Sequence, residues 1–101
     1  MKALFINQAA KLIDIQNELE ALQEAIGGYI ESITLDYGAV MIVDEEGRLK
    51  GKPLNDLASI IAGTSIVGKA LIVGCDGEEF SDVPEMYIEC ILLLSDVLNE
   101  R

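Results

Sequence analysis

Ala39-Val40-Met41-Ile42-Val43 is an unbroken apolar run, and Asp44-Glu45-Glu46-Gly47 follows it without a spacer. Five consecutive apolar residues, three of them β-branched, suit a central strand covered on both faces, because a half-exposed strand would alternate. The acidic quartet reads as a turn, with Gly47 placed for a positive φ. Upstream, Tyr29 to Leu35 does alternate. Tyr29, Glu31, Ile33 and Leu35 share one face, and Ile30, Ser32 and Thr34 share the other. Downstream, Arg48 to Lys52 is expected to return antiparallel until Pro53 breaks the pattern.

Working outward, Lys2–Asn7 and Lys11–Ile15 read as two strands. Asn17 opens a helix, with Glu20 three residues on as a capping box. Leu19, Leu22 and Ile26 form its apolar stripe, and Gly27-Gly28 ends it. A second helix is predicted over Asp56–Ala62, with Leu57, Ile60 and Ile61 on one side. Lys69–Val73 is the last predicted strand, and Gly74–Ser81 an acidic loop. Asp82 and Glu85 form a second capping box, with Pro84 in the first turn of the final helix. The expected class is therefore α+β: a single domain over residues 1–101, with a small, mostly antiparallel sheet packed by two to three helices.

Composition narrows function by exclusion. Half of the 101 residues are apolar, which is too many for a disordered chain. The net charge is 7 − 18 = −11, which argues against direct contact with nucleic acid or anionic membranes. It suits a basic protein partner. Cys75 and Cys90 are expected as buried thiols in a reducing cytosol, since no C-x-x-C and no histidine accompanies them. No signal peptide is visible at Met1–Asn7, and the apolar stretch Ser59–Gly74 is too short to span a bilayer and carries Lys69. A cytoplasmic location is expected.

Catalysis has few candidates. Without histidine, Ser-His and Cys-His pairs are excluded, and no enzyme activity, cofactor or metal is expected. Gly63 to Ala70 imitates a P-loop, but Ala70 stands where a hydroxyl must hold Mg²⁺, and a strand follows where a helix is needed. Asp44-Glu45-Glu46-Gly47 and Asp76-Gly77-Glu78-Glu79 lack the spacing of a calcium loop and read as acidic surface turns.

Arg48, Lys50 and Lys52 concentrate three of the seven positive charges. On a strand they share one face, which suits an anion contact or an edge guarded against aggregation. As an anionic-ligand site they would be bordered by Asn55, Gly27, Gly28, Gly63, Tyr29 and Thr64: backbone N–H groups from the glycines, a stacking ring from Tyr29 and a hydroxyl from Thr64. The final helix is apolar over more than one stripe. Tyr87, Ile91, Leu94 and Leu98 are expected to meet another subunit, or the helix crosses under the whole sheet.

Four stretches carry a resemblance: Leu19 to Glu31, Asp44 to Leu49, Gly51 to Asn55 and Ile60 to Thr64, with Ala70–Gly74 and Glu79-Phe80-Ser81 also fitting. They resemble a domain-of-unknown-function family of small proteins from phages, plasmids and integrative elements of mainly Gram-positive bacteria. The likeness covers most of residues 1–82, and the last helix is more apolar than the resemblance leads one to expect. The resemblance implies a location, the host cytosol, rather than a mechanism; small phage accessory proteins often block host defence, so a non-enzymatic counter-defence role is expected. Two routes fit the sequence. One, the preferred reading of the sequence, is sequestration of a small nucleotide-like immune signal by a homo-oligomer, which the glycines and basic residues favour. The other is mimicry of DNA by an acidic surface that blocks a basic nucleic-acid-binding effector. A structural or regulatory protein of the element is a third reading.

Overall fold

The computed structural model describes residues 1–99. Six strands form one antiparallel sheet: β1 (Lys2–Asn7), β2 (Ala9–Asp14), β3 (Ile30–Thr34), β4 (Ala39–Asp44), β5 (Ala70–Asp76) and β6 (Glu79–Ser81). The spatial order is β2-β1-β5-β4-β3, and β6 pairs with the C-terminal end of β5 in line with β1. Helices α1 (Leu19–Ile26), α2 (Asp56–Ala62) and α3 (Glu85–Asn99) complete the α+β fold.

The apolar run at β4 is the centre of the molecule. All six of its residues are buried. Ala39, Met41 and Val43 face a core shared with Leu57 and Ala58 of α2 and Ile91 of α3. Val40 and Ile42 face the opposite core, shared with Leu22 and Ile26 of α1. Strand β5 divides in the same way, Ala70 and Ile72 to the first core and Leu71 and Val73 to the second. Period-two alternation thus survives inside an uninterrupted apolar run, because helices cover both faces of the sheet.

Several local expectations are corrected. Arg48–Lys52 is not a strand but a succession of turns, so its cations share no strand face. Gly47 lies close against Val67 rather than at positive φ; the positive φ in this turn region belongs to Gly51 (+68°). Asn17 does not cap α1: the cap position is Glu18, with no side-chain bond, while Asn17 donates to the Phe80 carbonyl across 2.8 Å. The first strand pair turns at Gln8 (φ +71°), so β2 starts earlier than expected, at Ala9. The acidic loop contains β6, a short hairpin partner of β5 turning at Gly77. Asp82 lies outside α3, and its carboxylate accepts the Lys2 N–H at 2.8 Å. Cys75 and Cys90 are exposed, not buried, and form no disulfide.

Helix α3 crosses the first face of the sheet and is tied at both ends. The Tyr87 hydroxyl donates to the Asp36 carbonyl (2.8 Å) at the β3–β4 turn. Burial, then the Asp36 charge, pushes this phenol above its usual range. The buried Ser95 hydroxyl accepts the Ala10 N–H (2.8 Å) of β2, and Asn99 donates to the Gln8 carbonyl (3.1 Å). Two residues expected at a subunit interface therefore serve the chain's own fold: Ile91 is buried in the core and Tyr87 anchors α3. Leu94 packs partly against the same core, and Leu98 is exposed.

The buried double-sided sheet sets a stability expectation. Leu71→Ala removes a fully buried side chain from β5 and is expected to cost about 2–5 kcal/mol in chemical denaturation. Cys75→Ser, at an exposed position, is expected to change stability by less than about 0.5 kcal/mol.

Candidate functional site

The motif residues Gly27, Gly28, Asp44, Lys50 and Lys52 converge at the end of β4. The Asp44 side chain is 0% exposed. Its Oδ2 receives the Lys50 ammonium at 2.9 Å and the Lys52 ammonium at 2.5 Å, and its Oδ1 accepts the Glu46 N–H at 2.8 Å. Both ammonium groups reach further, to the last carbonyls of α1. Lys50 donates to Gly27 (3.3 Å), and Lys52 to Ile26 (3.1 Å) and Gly27 (3.4 Å).

This geometry follows from helix chemistry. The last carbonyls of a helix lack intrahelical partners and carry partial negative charge, so cations settle there. Gly27 takes the left-handed conformation (φ +86°) that ends α1, its N–H donating to Gln23 at 2.7 Å. Gly28 is required for a different reason: a β-carbon there would run into the Lys50 ammonium and the Asp44 carboxylate. Burial alone would push the Asp44 carboxyl up. The hydrogen bonds from Lys52 and Lys50, the Glu46 N–H and the Lys52 charge outweigh it and hold the pKa at about 2.

Asn55 is a second polar hub and is 1% exposed. Its Oδ1 caps α2 by accepting the Ala58 N–H (3.2 Å), and its Nδ2 donates to Ile6 (3.0 Å) and Gly68 (2.8 Å). One side chain therefore joins α2, β1 and the segment entering β5. Gly63 ends α2 in the left-handed conformation (φ +73°) with open space around it.

The expected anion site thus separates into parts. Lys50, Lys52, Gly27 and Gly28 belong to the Asp44 lock, and Asn55 to the α2 hub. Tyr29 is exposed beside the lock in sequence, its carbonyl accepting the Glu45 N–H at 2.9 Å. Arg48 points elsewhere and donates to the Ser65 carbonyl at 3.0 Å. Arg48 and Thr64 do line one cleft, of about 490 Å³, with Leu49, Ile33, Glu31 and Glu45. Sequence reasoning passed over Asp44, reading it as part of a surface turn. Its signal was position: it continues a buried strand, where an unpaired carboxylate could not remain, and lysines follow nearby. Among the described residues, no cluster of three or more acidic, Cys or His side chains is arranged to hold a metal, and no helix is long and apolar enough to cross a membrane.

Fold and lock define a small α+β protein whose sheet is sandwiched between α1 and the α2–α3 pair, with its most distinctive motifs committed to architecture. The chain belongs to the family described as Domain of unknown function (DUF3846), whose model matches residues 1–94. The match runs past residue 82 and takes in most of α3. No curated protein and no solved structure matches the chain.

The lock makes stability depend on pH in a defined sense. Asp44 titrates at about 2 when folded against an ordinary 3.8, so its contribution is complete above pH 3.8 and is lost as pH falls towards 2. Asp44→Asn is expected to cost about 2 kcal/mol at pH 7. Denaturant melts should show the two proteins converging near pH 2; a constant difference from pH 7 to 2 would contradict the lock. Asn55→Ala, which strands buried carbonyls and removes a cap, is expected to cost about 2–4 kcal/mol in the same assay.

Proposed function

We propose that this protein is a non-enzymatic binding module that engages a basic protein partner through the outer face of α3. Met86, Cys90, Leu93 and Val97 are spaced 4-3-4, so they form one line along that helix. All four are exposed, Leu93 at 66% and Val97 at 59%. This unpartnered line is the observation that carries the reading, since the other side of α3 already satisfies the core. Glu85, Glu89 and Asp96 run beside it, all exposed, and α3 has no Lys or Arg from Glu85 to Asn99. An apolar line with a carboxylate flank is complementary to an amphipathic helix bearing cations. The net charge of −11 steers such a partner from a distance. With the family resemblance, the reading becomes counter-defence: an acidic inhibitor occupying a basic, nucleic-acid-binding effector.

Sequestration of a small nucleotide-like anion by a homo-oligomer is the second reading. The shared cleft of Arg48 and Thr64 favours it, as does the seam-like spacing on α3. Two facts weigh against it. Lys50 and Lys52 are engaged by Asp44, and a second copy of α3 brings no cation to Glu85, Glu89 and Asp96.

The test uses a labelled Leu/Lys amphipathic peptide of about 20 residues, followed by fluorescence anisotropy. Binding is expected to weaken steeply between about 50 and 500 mM salt. Leu93→Ser/Val97→Ser is expected to weaken it about tenfold or more, with Glu89→Gln/Asp96→Asn flattening the salt dependence. Equal binding by all variants would overturn the reading. Light scattering at micromolar concentration separates the second reading, which requires a dimer or larger species that Leu93→Asp disrupts.

A further inference from the structure

We infer that the hollow between α1 and strands β1 and β2 is a binding site for a small amphipathic anion: an apolar body carrying a phosphate, carboxylate or sulfonate group. This site is independent of the α3 face. Its volume is about 480 Å³, within the usual range for small-ligand pockets. Phe5, Ile13, Ala21 and Ala25 supply apolar lining, and Lys11 and Lys69 supply two ammonium groups. The two alanines leave the space that larger side chains on α1 would fill.

The charge distribution singles this hollow out. Seven basic residues stand against eighteen acidic ones. Lys50 and Lys52 are committed to Asp44, and Arg48 donates to the Ser65 carbonyl. Among the described residues, Lys2, Lys11 and Lys69 form no ion pair, and two of these three line this one hollow. Glu24 is the one carboxylate in its lining, so the cations outnumber it. Lys11 holds its ammonium over the Phe5 ring, 5.8 Å from the centroid. That contact keeps the charge above the apolar lining instead of extended into water. In a chain of net −11, unpaired cations gathered over apolar surface match a ligand that is itself part anion and part apolar. A bare inorganic anion leaves the Phe5 and Ile13 surface unused, and a neutral apolar ligand leaves the lysines unused.

The probe is 1-anilinonaphthalene-8-sulfonate, an aromatic body with one sulfonate, titrated by fluorescence against the folded full chain. The wild type is expected to bind it saturably. Lys11→Gln/Lys69→Gln is expected to weaken binding about tenfold or more. Lys2→Gln and Leu93→Ser should leave it within about twofold, which distinguishes this hollow from the α3 line. Circular dichroism melts establish that each variant is folded. N-phenyl-1-naphthylamine, which lacks the sulfonate, should bind wild type and double variant equally. Displacement by adenosine monophosphate identifies a nucleotide-type ligand, and displacement by decanoate an acyl carboxylate. No saturable binding to wild type, equal affinity in the double variant, or failure of both competitors overturns the proposal.

Discussion

The Asp44 carboxylate is the constraint around which this molecule is arranged. A buried carboxylate without partners costs several kcal/mol and cannot persist as a charge. Here Lys50 and Lys52 reach it from a chain of turns, and the same ammonium groups satisfy the end of α1. The contact ties α1 to the end of β4 and to the turn that follows it, segments that share no ladder with α1. It also fixes α1 over the second face of the sheet, where Leu22 and Ile26 complete the core.

Covering both faces of the sheet has a consequence for the surface. The chain has one long helix, and α3 uses only part of its circumference on the core. Ile91 and Ser95 are buried while Met86, Leu93 and Val97 remain exposed. The apolar excess of α3 is thus divided between stability and a surface that, among the described residues, no element covers. Tyr87, Ser95 and Asn99 fix which side faces out, because their hydrogen bonds to Asp36, Ala10 and Gln8 set the rotation of the helix about its axis. A surface defined by packed anchors is presented rigidly, and rigidity lowers the entropic cost of docking.

The distribution of cations follows the same logic. The chain carries few of them, and most of those among the described residues have a defined place. Two neutralise the buried carboxylate and one ties a turn to the Ser65 carbonyl. Lys11 and Lys69 remain over an apolar hollow beside α1. The densest basic run in sequence is therefore architectural, and the dispersed lysines are the ones left to meet an anion.

Sequence by itself determined the α+β class, the central strand Ala39–Val43, the helix–glycine junctions at Gly27 and Gly63, and the apolar excess of α3. These are local: apolar periodicity, glycine conformational freedom and helix length act within a few residues. Tertiary structure alone decided the rest. Arg48–Lys52 alternates like a strand, but Lys50 and Lys52 gain more from a buried carboxylate and a helix end than from a ladder. Asn17 and Asp82 have the spacing of caps, yet Asn17 is drawn to Phe80 and Asp82 to Lys2, partners far away in sequence. Lys11 and Lys69 lie far apart in the chain and line one hollow through the antiparallel order β2-β1-β5. Such pairings depend on which strands become neighbours, and strand order is set by the packing of two whole cores, which no local pattern encodes.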